Sequence, residues 1–191
     1  EFYLIFQDRA EVNPRLMKIL IIGGHLAPAL CVIQELPKAA EILYIGRKYA
    51  LEGDKAVSLE YKTISARGIA FAELKTGRLQ RSITLHTIPS LGKIPYGFIQ
   101  AVKIINKFKP DVIAGFGGYL SLPVIAAGYF LKVPIVIHEQ TLDAGLANKY
   151  GAKFAKKVCV SFESSVKYFP KEKVVLTGNP VKKNENKIIR R

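Results

Sequence analysis

The sequence predicts an α/β fold, a doubly wound parallel sheet, and three observations predict it. Aliphatic and β-branched runs alternate with helical patterns along all 191 residues. The runs are apolar throughout (Ile-Leu-Ile-Ile at 19–22, Val-Ile-Ala-Gly-Phe at 112–116, Ile-Val-Ile at 135–137, Val-Cys-Val at 158–160), as strands covered on both faces require. Four of them end in a short cluster: Gly23-Gly24-His25, Gly115-Phe116-Gly117-Gly118-Tyr119, His138-Glu139-Gln140-Thr141 and Thr177-Gly178-Asn179-Pro180. If the runs are parallel strands, all four clusters lie along the carboxyl edge of one sheet, where open α/β sheets bind ligands.

Strands are expected near 18–22, 42–46, 61–65, 111–115, 134–138, 157–161 and 173–177. Helices are expected near 26–36, 49–57, 83–92, 96–108, 119–131, 143–154 and 163–168. Pro28 and Pro123 fall in the first turn of their helices, where a missing N–H costs little. Gly68 and Thr76-Gly77-Arg78 mark loops. The segment 120–137 imitates a membrane span, but two prolines and the Lys132-Val133-Pro134 break make it a helix followed by a strand. Residues 1–16 lack the basic start and small-residue cleavage site of a signal peptide. They read as an extension outside the fold, with Met17 as the natural start. The expected folded domain is 17–181, and the polar stretch 182–191 is expected to begin a linker or a frayed tail.

Hydrophobic residues make up 49% of the chain, which excludes disorder, and the length suits one well-buried domain. The two cysteines show no metal or disulfide spacing, so neither a metal nor a disulfide framework is expected, and a reducing compartment fits. The 29 Lys and Arg against 15 Asp and Glu give a net charge of +14, which implies an anionic partner. From Lys75 to Pro110 there are seven Lys or Arg and no acidic residue, interleaved with Ile, Leu, Phe and Tyr. That interleaving suits an anionic membrane surface better than a duplex groove, although a solvated helix face has the same composition. A nucleic-acid-binding domain is the weakest reading, because no recognised motif occurs.

The clusters carry the chemistry. Gly23 and Gly24 at a strand-to-helix turn let backbone approach a ligand, and the following helix aims free N–H groups at it, which suits phosphate. His25 at that spot can take a proton from a hydroxyl, or simply cap the turn. Gly117 and Gly118 offer a second cradle, with Tyr119 and Ser121 as hydroxyl donors. His138 and Glu139 are adjacent on a strand and face opposite sides, so one meets the cleft while the other supports the backbone. The last cluster, through Asn179, is an ordinary loop or a hinge.

Taken together the clusters resemble the N-terminal half of the MurG family, the peptidoglycan GlcNAc transferases of glycosyltransferase family 28. Gly-Gly-His-x-x-Pro, Gly-x-Gly-Gly-Tyr-x-Ser-x-Pro, His-Glu-Gln followed by Ala-Gly-Leu-Ala-Asn-Lys (144–149), and Gly-Asn-Pro-Val (178–181) occur in the family's order. The resemblance covers 17–182 and implies the N-terminal, Rossmann-like half of a GT-B fold. It implies transfer of GlcNAc from UDP-GlcNAc to the 4-hydroxyl of MurNAc in lipid I, with inversion, giving lipid II. It places the lipid-linked diphosphate acceptor on this half, near the glycine turns, and docks a basic, apolar surface on the cytoplasmic face of the membrane. UDP-GlcNAc would be held mostly by a C-terminal domain that this sequence lacks. No cofactor and no nucleic acid are implied. His25 is the first candidate base, and Glu139 the second, as base or orienting group. Substrate contacts are expected at Gly23, Gly24, Gly117, Gly118, Tyr119, Ser121, His138, Gln140, Thr141, Asn148, Asn179 and Lys182. Three departures stand out. The first loop is shorter than the family's Gly-Gly-Thr-Gly-Gly-His, Thr141 replaces the family's Asn, and Lys182 replaces an Arg and loses its bidentate fork. The alternative is a non-catalytic acceptor-binding subunit or fragment that needs a separate donor domain.

Overall fold

A computed structural model describes residues 17–50, 56–77 and 87–181, with backbone alone over 87–91. The elements run β1 (Lys18–Ile22), α1 (Leu26–Glu35), β2 (Glu41–Gly46), α2 (Leu59–Ser65), β3 (Ala70–Glu73), α3 (Thr87–Phe108) and β4 (Val112–Gly115). They continue with α4 (Ser121–Phe130), β5 (Ile135–Glu139), α5 (Leu146–Gly151), β6 (Lys157–Val160), two short 3-10 helices and β7 (Val174–Leu176). All seven strands pair in parallel in the order β3-β2-β1-β4-β5-β6-β7. The expected doubly wound sheet is therefore present.

Alternate residues of each strand feed opposite faces. Leu20, Ile22, Ile45, Ile113, Ile135, Ile137, Val158 and Val160 pack on the face carrying α3, α4 and α5. Ile19, Ile21, Tyr44, Ala114, Phe116, Val136 and Cys159 pack on the other, against Ala29 and Val32 of α1 and Ile64 of α2. Coverage on both faces is why the strands read as unbroken apolar runs. The helix α4 buries six of its ten residues, so the imitation membrane span is a core helix followed by β5. No helix among the described residues is long and apolar enough to cross a membrane.

Three expectations give way. The strand expected at 61–65 is the helix α2, because Ser58 Oγ accepts from Tyr61 N–H at 3.1 Å and caps a helix start that outweighs the β-branched pair Thr63 and Ile64. The edge strand β3 instead follows Gly68, a position where φ is 69° and the chain reverses. The helix expected over 49–57 fails at its described ends, since Tyr49 and Val57 form an antiparallel bridge and Ala50 N–H donates to Ala56 carbonyl oxygen at 2.9 Å. Finally, the two helices expected over 83–92 and 96–108 form one element from Thr87, with Pro95 inside it. Packing along α4 outweighs the single backbone bond that Pro95 removes. Residues 1–16 and 182–191, with the extension, the tail and Lys182, lie outside the described residues.

Candidate active site

The strand order reverses between β1 and β4, so the crevice outside their carboxyl ends is the topological switch point of the sheet. The first two glycine clusters meet there. Gly117 and Gly118 both have φ of 78°, a left-handed conformation that favours glycine. A Cβ on Gly118 would lie 2.9 Å from Gly24 Cα, and one on Gly24 would overlap the Gly117 carbonyl. The two turns are therefore interlocked backbone to backbone. His25 N–H donates to Phe116 carbonyl oxygen at 3.1 Å and ties them further. Ser121 corrects the reading of it as a ligand donor. It is fully buried, its hydroxyl donates to the Gly117 carbonyl, and it holds the turn rather than facing a ligand.

A cavity of about 260 Å³ opens beside these turns, lined by His25, Gly117, Gly118, Tyr119, Glu139, Thr141 and Asn148. Its apolar wall is Ile94 of α3, Leu122 and Pro123 at α4, and Leu146 of α5. His25 is half-buried, and its ring makes no cap bond to α1. Asn148, 2% exposed, donates from Nδ2 to His138 carbonyl oxygen (3.2 Å) and Glu139 Oε2 (2.9 Å). Its buried Oδ1 has no hydrogen-bond partner. The cavity thus brings an imidazole, a phenol and a carboxamide to one space.

Glu139 lies beneath the cavity, 1% exposed. It accepts from Thr141 N–H (3.0 Å), Thr141 Oγ1 (2.6 Å), Gly145 N–H (3.0 Å) and Asn148 Nδ2 (2.9 Å). Burial by itself would raise its pKa, but these bonds hold the carboxyl below its ordinary value. A carboxylate so saturated is a poor proton acceptor and a good anchor for the loop that carries Thr141 and Gly145. Of its two expected roles, base or orienting group, this geometry fits the second. His138 turns to the opposite sheet face, as strand alternation requires. Its ring lies 5.9 Å from that of Phe116, and its Nε2 lies 3.4 Å from both Gly178 carbonyl oxygen and Ser161 Oγ. Burial lowers its pKa. His138, Gln140 and Asn179 line neither this cavity nor its neighbour, and Asn179 is exposed at the far end of the same sheet edge. His25, Tyr119 and Glu139 therefore meet at one cavity, whereas Asn179 shares only the sheet edge with them, because β6 stands between β5 and β7.

A neighbouring cavity of about 360 Å³ holds Gly23 and Gly24 together with Arg47, Ser58 and Glu60, and shares Gly118 and Tyr119 with the first. Arg47, Ser58 and Glu60 escape the sequence reading. Glu60 Oε1 accepts from Tyr44 hydroxyl (2.8 Å) and Oε2 from Arg47 N–H (3.2 Å), so its carboxylate seals the ends of β1 and β2. Burial, then the Glu60 charge, holds the Tyr44 phenol protonated far above its ordinary value. Paired glycines mark the turns after β1 and β4, whereas β2 ends in one glycine and a charge, a signal too common to stand out. Among the described residues no cluster of three or more His, Cys, Asp or Glu could hold a metal ion.

Comparison with known proteins agrees with this geometry. Residues 22–160 match the glycosyltransferase family 28 N-terminal domain. The chain is 38% identical over 161 residues to a UDP-N-acetylglucosamine–N-acetylmuramyl-(pentapeptide) pyrophosphoryl-undecaprenol N-acetylglucosamine transferase of Pediococcus pentosaceus, covering 83% of this chain and 42% of the relative. A protein of the same name from Thermoanaerobacter sp. is 40% identical over 172 residues, with 87% and 44% covered. The chain thus spans somewhat under half the length of the relatives it matches. Among solved structures, MurG of Acinetobacter baumannii superposes with a TM-score of 0.66 at 24% identity, over 91% of this chain and 47% of that one. A UDP-GlcNAc 2-epimerase of Neisseria meningitidis gives 0.57 at 17% identity, over 86% and 47%. Both place the fold as the N-terminal half of a GT-B architecture. On the family match, the chain belongs to glycosyltransferase family 28 and carries its N-terminal domain.

Proposed function

We propose that this domain is the acceptor-binding half of an inverting transferase that moves GlcNAc from UDP-GlcNAc to the 4-hydroxyl of MurNAc in lipid I, giving lipid II. The observation that carries the reading is the cavity at the β1–β4 switch point, where His25, Tyr119 and Asn148 line one space beside the two glycine turns. The relatives' printed name describes this same transfer. Inversion requires the acceptor hydroxyl to attack the anomeric carbon as UDP leaves from the other side. His25 takes the hydroxyl proton, and Glu139 holds both the loop that carries Thr141 and Gly145 and the Asn148 side chain at the start of α5. The interlocked turns at Gly24 and Gly117–Gly118 receive the diphosphate of the acceptor. UDP-GlcNAc is completed by a C-terminal donor domain.

The lipid end of the acceptor has a matching surface. Ile94 and Leu122 in the cavity wall belong to α3 and α4. The same two helices expose Tyr96 (58%), Ile99 (54%), Tyr129 (53%) and Phe130 (71%), and Lys93, Lys103 and Lys107 are exposed along α3. Phe98 and Phe130 meet edge to face at 5.8 Å, so the aromatic surface is continuous between the helices. Such a basic, aromatic face suits peripheral docking on an anionic membrane beside the acceptor cavity.

The test is transfer of labelled GlcNAc to a soluble lipid I analogue, with this chain completed by a family donor domain. His25→Ala is expected to lower kcat by about 10²- to 10⁴-fold, the usual range for loss of a general base. Undiminished turnover by His25→Ala overturns the assignment of the base. Failure of the completed wild-type chain to use the lipid I analogue overturns the reaction.

A further inference from the structure

Glu139 grips the cavity rim from beneath, and a second grip reaches the same loop from the side of β6. Just after β6 the chain turns into the 3-10 helix Glu163–Tyr168. We propose that Ser165 and Tyr168 of this turn are positioning residues, which clamp the Thr141–Gly145 loop and so set the shape of the cavity that the acceptor enters. The proposal rests on the acceptor reading above for what fills the cavity, while the clamp itself rests on geometry alone.

Ser165 is fully buried, and its hydroxyl lies 2.8 Å from the Thr141 carbonyl oxygen and 3.2 Å from that of Leu142. Thr141 is thereby held from two sides. Its N–H and hydroxyl donate to Glu139, and its carbonyl accepts from Ser165. Tyr168 hydroxyl donates to Asp143 Oδ1 at 2.6 Å, a short bond to a carboxylate. The Tyr168 ring packs against the core face that carries α3, α4 and α5. Lys149 Nζ, from α5, lies 4.0 Å from its centroid. One side chain thus ties the loop at Asp143 to the helix at Lys149. Between those two residues run Gly145, Leu146, Ala147 and Asn148, which line the cavity together with Thr141. Ser165 and Tyr168 line it nowhere, so they act on a ligand only through the rim they hold. A rim ordered in advance spares the ligand the entropy of ordering it on binding. A residue that served stability alone would lower the folded fraction and leave the affinity of the folded molecules unmoved.

Two measurements separate the clamp from the reading it rests on. Hydrogen exchange on the full 191-residue chain follows the Thr141 and Gly145 amides, both bonded to Glu139. Transfer to the lipid I analogue by the completed chain gives a KM for each substrate. The variants are Ser165→Ala, Tyr168→Phe, Asp143→Ala and Asp143→Asn, with the exposed neighbour Ser164→Ala as control. Ser165→Ala and Tyr168→Phe are each expected to speed exchange at Thr141 and Gly145 about fivefold or more, and to leave the Ile113 amide in β4 unchanged. Both should raise the acceptor KM about three- to tenfold and leave the UDP-GlcNAc KM as it was. Asp143→Ala should do at least as much as Tyr168→Phe, whereas Asp143→Asn keeps an acceptor for the phenol and stays within about twofold of wild type, as does Ser164→Ala. Tyr168→Phe removes a single oxygen and keeps the ring, so it decides the outcome should Ser165→Ala fail to fold. Unchanged exchange in Tyr168→Phe overturns the clamp. Faster exchange with an unmoved acceptor KM, or an equal rise in both KM values, overturns positioning and leaves the two side chains as supports of the fold. Faster exchange in the variants, with no use of the lipid I analogue by wild type, keeps the clamp and sinks the acceptor reading.

Discussion

His138 and Glu139 are neighbours on one strand, and the sheet separates them into two different electrostatic worlds. Glu139 lies under the cavity with four donors on its carboxylate. His138 lies on the opposite face among Phe116, Ser161 and Gly178. Both are 1% exposed, and both have lowered pKa values, for opposite reasons. Hydrogen bonds favour the charged form of Glu139, whereas desolvation disfavours the charged form of His138. Near neutral pH each is held in one protonation state, Glu139 anionic and His138 neutral. Neither is poised to exchange a proton with a substrate. The remaining imidazole at the cavity wall is that of His25, which is half-buried.

The contrast breaks most sharply at Glu139→Gln. The amide keeps the shape, but its NH₂ must face either the Thr141 donors or those of Gly145 and Asn148. Two charge-assisted bonds are lost and two donors collide. The expected cost is about 3 kcal/mol of unfolding free energy in urea titration, with Thr141 and Gly145 released from the cavity rim. A cost under about 1 kcal/mol would mean that the carboxylate is not the anchor, and that its alternative role as a base must be reopened.

How much of this pair was legible in the sequence follows from the same strand. The opposition of His138 and Glu139 needs only the two-residue period of a strand, and it could be read directly. Which of them meets the cleft depends on which helices cover each face, and that depends on the long-range order β1-β4-β5. The glycine turns were legible as strand-to-helix turns at the sheet's carboxyl edge, but their interlocking was not, because Gly24 and Gly118 are distant in sequence and meet only across the switch point. Ser121 was misassigned for a related reason: a hydroxyl just after a glycine turn reads equally well as a ligand donor or as a bond back to the turn. The second cavity was hidden by the reading of 61–65 as a strand, which pulled Glu60 away from the end of β2. Gly118→Ala tests the interlocking on the Glu139 side of the sheet. It places a side chain at φ of 78° and a Cβ 2.9 Å from Gly24 Cα. The expected loss is about 2 kcal/mol of stability. A neutral result would show that the two turns can separate, and would weaken both cavities as pre-formed sites.

The smallest effect is the most discriminating, because pH separates the two residues into different windows. The folded pKa of His138 lies below the ordinary value of 6.5, so as pH falls through that value the unfolded chain takes up a proton that the folded chain refuses. Stability contributed by neutral His138 is therefore present above the unfolded pKa and lost as pH falls toward the folded one, with a slope of at most about 1.4 kcal/mol per pH unit for one group. Glu139 acts with the same sign in a lower window, since its folded pKa lies below the ordinary 4.5, and its contribution is lost as pH falls through the folded value. His138→Gln should flatten the first segment of a stability–pH curve and leave the second, while Glu139→Gln should flatten the second and push the first to lower pH, since the Glu139 charge raises the His138 pKa. If His138→Gln leaves the slope below pH 6.5 intact, the imidazole titrates alike in the folded and unfolded chain, and the division between the two faces of β5 is not electrostatic.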